Sequence, residues 1–299
     1  MLKKVKRYLR DPYMALGQDL IKKHPNWMSD KYYLSVLWKT LMGYELDWKN
    51  PKTFNEKLQW LKLHDRNPRY TELVDKVKAK HIVSDMIGSE HIIPTIRVYN
   101  TPDEINAAEL PEQFVLKCNH DSGSFEICQC KNAFDVDAAK KRLEEKLQHN
   151  FYWNAREWAY KNVDRKIFAE EFVKDLSHDD LVTYKFYCFD GEPKLALATV
   201  KNEDFWENYY DLSFNLLNFS HGSKNSPTPL NKPAKFDEMI DIARVLSRGI
   251  PHVRIDLYES SDRVLFSEFT FYDWAGFNTF DPAEWDMTLG HWLNLPKVK

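Results

Sequence analysis

Arg254-Ile-Asp-Leu-Tyr258 and Leu265-Phe-Ser-Glu-Phe-Thr-Phe271, separated by the polar run Glu259-Ser-Ser-Asp262, set the terms on which the other residues make sense. The alternation of side-chain character predicts two strands of a β-hairpin. Arg254 and Asp256 then share one face of the first strand, and Glu268 and Thr270 share one face of the second. Pairing across the turn brings Asp256 to Glu268 where apolar neighbours screen both from water. Two carboxylates held close in a low dielectric repel unless a cation sits between them or one takes a proton. Mg2+ answers that need, being a hard cation that accepts a few carboxylate oxygens and leaves its other positions to water and phosphate. An amphipathic hairpin with its acids in solvent would show the same alternation, so the upstream residues have to separate the two readings.

Composition narrows the classes. A chain of 299 residues with 43% hydrophobic content can bury a large core, as one large domain or two interlocked lobes. The 42 Lys and Arg against 45 Asp and Glu give a net charge of -3, which excludes the global basic field of a general nucleic-acid binder, so any phosphate site must be local. Cys118, Cys128, Cys130 and Cys188 are too few and too irregular for a disulfide framework or a four-cysteine zinc site. The basic start, with Lys3, Lys4, Lys6, Arg7 and Arg10, has no apolar run behind it, and no stretch approaches a membrane span. A soluble cytoplasmic protein is expected. The basic cluster reads as a solvated helix face, with peripheral contact to an anionic membrane as the other option.

In chain order, residues 31–42 and 55–64 carry apolar residues at helical spacing, and Thr53 with Glu56 forms a capping box at the second helix. Trp27, Trp38, Trp48 and Trp60 read as packing. A helix over 73–86 ends near Gly88, and a strand over 92–98 is entered through Pro94. Residues 114–117 form a short buried strand with Lys117 at its end, before the small polar run that closes on Asp121-Ser-Gly-Ser124. An ammonium beside such a loop suits phosphate, with backbone N–H groups folding over the oxygens; a surface turn with a snorkelling lysine is the other reading. No G-x-x-x-x-G-K-[ST] occurs. Asp135-Val-Asp137 matches the loose D-x-D of metal-dependent sugar-nucleotide transferases, and equally an acidic helix start for residues 135–150. An aromatic helix over 151–160, a strand over 166–173 and a strand pair over 181–200 turning at Asp190-Gly191 follow. The aromatic stretches 204–211 and 271–274 suit sugar stacking or lobe packing alike. The Ser-, Asn-, Gly- and Pro-rich stretch 218–233 reads as a mobile loop over substrate, poorly protected from hydrogen exchange until nucleotide and acceptor bind.

The order Asp75-Lys76, Phe114-Val-Leu-Lys117 with its small-residue loop, Ala169-Glu-Glu-Phe-Val173, Tyr184-Lys-Phe186 with Asp190-Gly191, and Arg254-Ile-Asp256 followed by Glu268-Phe-Thr270 resembles the ATP-grasp fold. It is most similar to the TupA-like branch, named for teichuronopeptide biosynthesis and associated with bacterial surface-polysaccharide genes. The resemblance covers nearly the whole chain, including Asn50-Pro-Lys-Thr-Phe-Asn-Glu-Lys57. It implies an α+β fold in which two α/β lobes grip a nucleotide behind a helical segment: residues 1–70 helical, 71–173 the smaller lobe with the phosphate-binding strand and loop, 174–299 the lobe with the metal-binding hairpin. It places Lys76 and Lys117 on the ATP phosphates, with Ser122, Gly123 and Ser124 closing over them. Glu171 and Val173 offer backbone groups to adenine, Glu170 lies beside the base, and Asp179 in the 178–180 turn faces the ribose. Asp256 and Glu268 bind Mg2+, Glu268 able to bridge two ions, and Thr270 stands where an asparagine is usual. Arg254 and Lys185 neutralise charge on the transferring phosphoryl group or acyl phosphate. Gly276 matches a glycine that lets backbone approach substrate.

The implied activity is carboxylate–amine ligation through an acyl phosphate with release of ADP and phosphate, the carboxylate being a small molecule or a glycan. An amino acid or other amine joined to a uronic acid of a capsule or cell-wall polysaccharide is the expected product. A glycosyltransferase of the same pathway, a nucleotide-binding protein without catalysis, and a phosphotransferase that stops after moving the γ-phosphate are the alternatives.

Overall fold

The computed structural model describes residues 12–174, 181–200, 206–260 and 263–297. Helices come first: α1 (Pro12–Lys23), α2 (Asp30–Met42) and α3 (Phe54–His64). Ser29 caps α2 by accepting from the Tyr32 N–H, and Gly43 ends it in the left-handed region. At α3 the expected capping box is present: Thr53 Oγ1 accepts from the Glu56 N–H at 3.2 Å and Glu56 Oε2 accepts from the Thr53 N–H at 3.1 Å. Trp38 and Trp60 are buried as expected, and Trp48 Nε1 donates to Ser35 Oγ at 2.8 Å. Trp27 is 79% exposed and therefore contributes no packing, against the expectation. The single helix expected over 73–86 is two, α4 (Arg69–Val74) and α5 (Lys76–Ile87). Asp75 breaks them because its carboxylate accepts the N–H groups of Val77 and Lys78, a local bond that competes with helix continuation.

The first sheet contains β1 (Thr95–Tyr99), β2 (Phe114–Cys118), β3 (Phe125–Cys128) and β4 (Ile167–Glu171), antiparallel in the order β1-β4-β2-β3. β1 begins after Pro94 rather than through it. Ile92 instead bridges Phe266 of the other sheet, and the Pro94 carbonyl accepts from the Glu171 N–H at 3.1 Å. Phe114, Leu116, Cys118, Ile167 and Ala169 form one core with Leu143 of α6 (Val136–Leu147). The period of two sends Lys117 and Glu170 to the opposite face. The aromatic helix expected over 151–160 is only α7 (Tyr152–Ala155) and a 3-10 turn, because Arg156 turns left-handed between them at φ 56°.

The second sheet is built from β5 (Val182–Phe189), β6 (Glu192–Val200), β7 (Trp206–Tyr210), β8 (Leu216–Leu217), β10 (His252–Ser260) and β11 (Arg263–Thr270), in the order β11-β10-β5-β6-β7-β8. A small pair, β9 (Ser220–His221) with β12 (Phe280–Asp281), lies beside it. Asp190 (φ 50°) and Gly191 (φ 83°) make the expected tight turn between β5 and β6. One face of the sheet is closed by α8 (Phe236–Ser247): Phe186 packs on Phe236 with ring centroids 5.4 Å apart, and Cys188 lies against Ala243. The other face carries the charged residues. α3 reaches that face through Phe54, which packs on Tyr187 and His252, and α9 (Glu284–Trp292) packs on α3. The stretch 218–233 is tied down where a mobile loop was expected. β9 is paired, Asn225 Nδ2 donates to the Phe219 carbonyl at 2.9 Å, and the Leu230 N–H donates to Tyr210 Oη at 2.9 Å. Among the described residues no helix is long and apolar enough to cross a membrane.

Candidate active site

Strand register assembles half of the site. Asp256 stands directly opposite Glu268 on β11 and opposite Lys185 on β5, while Arg254 stands opposite Thr270 and Tyr187. All of these side chains leave the same face of the sheet. Arg254 grips Asp256 in a fork, Nε to Oδ1 and Nη2 to Oδ2 each at 2.8 Å, and Nη2 also donates to Thr270 Oγ1 at 3.2 Å. Its Nη1 donates to Asp273, whose other oxygen accepts from the Tyr187 hydroxyl at 2.6 Å and lies 3.2 Å from His221 Nδ1. Burial works to raise the Asp273 carboxyl, but Arg254, His221 and Tyr187 outweigh it and hold the group far below the ordinary carboxylate range. Lys185 is driven down from its ordinary value by burial and by Arg254 beside it.

The other half comes from the first sheet and α5. Glu170 on β4 takes Lys117 of β2 on one oxygen and Lys80 of α5 on the other at 2.6 Å. Lys80 also donates to the Ile93 carbonyl at 2.8 Å and to Thr95 Oγ1 at 3.1 Å. Burial opposes ionisation of Glu170, and the two lysines reverse that and lower it. Lys76, at the first turn of α5, lies 3.3 Å from Glu268 Oε2 and donates to the Asp121 carbonyl. It thus ties the 121–124 loop to the hairpin. Ser124 donates to the Asp121 carboxylate, whose Oδ1 meets no donor, and Gly123 at φ 83° has open space where a side chain would stand. Burial works against the charge on Glu268 as well, and Lys76, Arg254 and Lys185 together lower it nonetheless.

A cavity of about 300 Å³ opens between the sheets, lined among others by Ile93, Pro94, Glu171, Val173, Arg263 and Leu265. Glu171 and Val173, expected at adenine, therefore line a cavity. Glu170, expected beside the base, is not among its lining residues, and both its oxygens are bound by lysines. Asp179 lies outside the described residues. Among the described residues no group of three or more His, Cys, Asp or Glu gathers as a metal site. The donor set of Asp256, Glu268 and the Thr270 hydroxyl nevertheless fits a hard divalent cation in kind, being all oxygen with two charges facing across one strand pair. Asp135, half of the D-x-D pattern, is occupied as the cap of α6, accepting from the Ala138 N–H at 2.9 Å.

Sequence reasoning missed Lys80, Asp273, Tyr187 and His221. Lys80 carried a signal, since it stands one helical turn after Lys76. His221 carried none, because only the β9–β12 pairing brings it to Asp273.

Residues 56–294 match the family model described as TupA-like ATPgrasp. No curated protein matches the chain. Among solved structures, the D-alanine–D-alanine ligase of Bacillus anthracis is 15% identical, with 85% of this chain and 72% of that one covered at a TM-score of 0.38. A RimK domain ATP-grasp protein of Sphaerobacter thermophilus is 13% identical, covering 77% and 70% at a TM-score of 0.40. The ATP-grasp ligase PsnB with minimal precursor, Mg and ADP is 13% identical, covering 85% and 66% at a TM-score of 0.38. Across its structures the chain spans between 55% and 66% of PsnB's length.

Proposed function

Because the chain belongs to the TupA-like ATP-grasp family, we propose that it is an ATP-dependent carboxylate–amine ligase whose reaction runs on the face shared by Arg254, Asp256 and Glu268. The observation that carries this reading is one continuous charge cluster drawn from both sheets, in which Lys76 joins the 121–124 loop to Glu268 of the hairpin. Attack of a carboxylate on the γ-phosphate of ATP is an encounter between anions, so catalysis consists mainly of charge neutralisation and alignment. In this reading Lys76 and Lys117 would meet phosphate oxygens, Ser122, Gly123 and Ser124 would close over them with backbone N–H groups, and Glu171 and Val173, which line the cavity between the sheets, would hold the base. Asp256, Glu268 and Thr270 would hold Mg2+, which when bound supplies positive charge to the phosphate oxygens. Arg254, held by Asp256 and Asp273, would add its positive charge to the face where the acyl phosphate forms. Lys185, on the same face, adds a second cation. Glu170 orients Lys117 rather than meeting the base.

The family's name points to a uronic acid of a bacterial surface polysaccharide as the carboxylate and an amino acid or other amine as the nucleophile. A cytoplasmic setting, where ATP is made, goes with that chemistry. The test is a thermal shift with Mg-ATP and with Mg-UDP-glucose on wild type and Lys117→Met. A ligand at about 100 times its dissociation constant stabilises by roughly 2.7 kcal/mol. A response to ATP alone that the lysine variant loses supports the reading, and phosphate release dependent on both glucuronate and an amine would complete it. A response to UDP-glucose alone sinks it.

A further inference from the structure

Thr199 and Glu207 stand directly opposite each other on β6 and β7. Thr199 in turn faces Thr183 on β5, two residues from Lys185, so Glu207 and Thr199 leave the sheet on the same face as Lys185, Arg254 and Asp256. Both are deeply buried, Glu207 at 3% exposure and Thr199 at 0%. Yet Glu207 Oε2 and Thr199 Oγ1 meet no hydrogen-bond partner. The rest of Glu207 is firmly placed: its N–H donates to the Lys224 carbonyl at 3.1 Å and the Ser223 hydroxyl reaches its carboxylate. A buried carboxylate oxygen beside a buried hydroxyl, both without donors, is costly to keep in a fold. Burial raises the Glu207 carboxyl above its ordinary value; of the charged groups that face it, Lys185 and Arg254 favour the ionised form and Asp273 opposes it. Arg254 is already committed to Asp256 and Asp273, so it cannot also saturate Glu207.

What such a pair of acceptors lacks is a compact cation with several N–H donors. A primary ammonium group has that shape and charge, with three donors for the carboxylate, the hydroxyl and one further oxygen. A neutral hydroxyl brings no charge to Glu207, and a carboxylate would repel it. We propose that Glu207 and Thr199 form a seat for a primary ammonium group, so that the amine co-substrate of the ligation enters over β6 and β7, beside the charged face of β5 and β10. The assignment rests on the ligase reading for its place in the reaction, but the seat itself is defined by the two unpartnered acceptors. It narrows the co-substrate to amines that arrive as cations and sets aside amide nitrogen and ammonia carried as a neutral molecule.

The experiment measures binding of methylammonium, ethanolammonium and glycinamide by thermal shift and calorimetry, with acetamide as the uncharged control, in the presence and absence of Mg-ADP. The proteins are wild type, Glu207→Gln and Thr199→Val, each keeping the original shape closely. The expected result is binding of at least one cationic probe to wild type and none of acetamide, with affinity falling about tenfold or more in Glu207→Gln and by less in Thr199→Val. The Mg-ADP shift should be unchanged in both variants, which shows that they are folded and reads the nucleotide site independently. Cation binding without an ADP shift would keep the seat and remove the ligase reading. Equal cation affinity in wild type and Glu207→Gln, or no cation binding to a wild type that still answers Mg-ADP, overturns the seat and leaves the two acceptors to bound water.

Discussion

Asp273 shows how a single side chain can set a site's electrostatics. It accepts from Arg254 and Tyr187 and lies 3.2 Å from His221 Nδ1, and its carboxyl is held far below its ordinary range in consequence. A carboxylate depressed on folding adds stability above its unfolded value of about 3.9, and that stability is lost as pH falls toward the folded value. Asp273→Asn should therefore lower stability at neutral pH and flatten its decline below about pH 4, as denaturant titrations across acid pH would show; an unchanged acid limb would contradict this. Lys62 is a second case, fully buried on α3, where Nζ donates to Gln59 Oε1 and to the Ala275 carbonyl, each at 2.8 Å. Burial brings it from 10.5 down to about 7, and burial likewise raises Glu157 beside it to about 7. Between those values for Lys62 the unfolded chain binds more protons than the folded one, so its contribution makes stability rise with pH from about 7 upward. Glu157 acts oppositely below pH 7, where the folded chain binds the extra proton. Lys185 is lowered by burial as well, so Lys62→Met should make the alkaline rise shallower rather than remove it, and a variant whose stability climbs between pH 7 and 10 as steeply as wild type would assign the rise elsewhere.

At the scale of elements, the turn after β11 and helix α3 have to be understood together. Trp274, Ala275 and Gly276 run left-handed at φ 47°, 52° and 66°, a conformation that persists only when its surroundings hold it. Gln59 Nε2 does so by donating to the Ala275 and Gly276 carbonyls at 3.0 and 2.9 Å, with Lys62 beside it. A Cβ on Gly276 would meet Gln59 Nε2 at 2.5 Å and Leu58 Cβ at 3.1 Å. Gly276→Ala is therefore expected to cost about 2 kcal/mol or more, from left-handed strain plus displacement of α3. Because the same turn begins at Asp273, nucleotide-dependent activity should fall beyond what the stability loss explains. Urea unfolding together with ATP turnover checks both parts, and a fully active variant would show that the turn does not position Arg254. The sequence singled out Gly276 by resemblance; the partner that needs its missing side chain is on a helix more than two hundred residues away in the chain.

For the whole molecule, two sheets with separate cores meet through a few charged contacts and the Ile92–Phe266 bridge. Lys76 supplies the most direct link, from α5 to Glu268 on one side and to the 121–124 loop on the other. If nucleotide is gripped between the sheets, Mg-ATP should raise hydrogen-exchange protection in residues 114–124 and 254–270 together. Protection confined to one of the two would mean that the nucleotide sits on one sheet alone. The stretch 218–233 should show amide protection at residues 226 and 230 in the free protein, where the Ser226 N–H donates to Asn208 Oδ1 and the Leu230 N–H to Tyr210 Oη.

Features whose physics is local were legible in the order of residues. The opposition of Asp256 to Glu268 needs the register shift between Asp256 and Leu257, because regular pairing onward from the turn would set Asp256 against Ser267, but alternation marked the two hairpin strands, Asp190-Gly191 a turn and Thr53 with Glu56 a helix start. Each follows from a period of two, a left-handed preference or a cap that spans a few residues. Tertiary structure alone decided who neutralises whom. The fork of Arg254 on Asp256, the pairing of Lys80 with Glu170 and the approach of His221 to Asp273 depend on rotamers, on the packing of α5 against the first sheet and on the β9–β12 pairing. Charge complementarity in a buried site is a property of distances in space, and a chain with near-balanced charge offers many partners for each ion, so spacing along the sequence cannot choose among them.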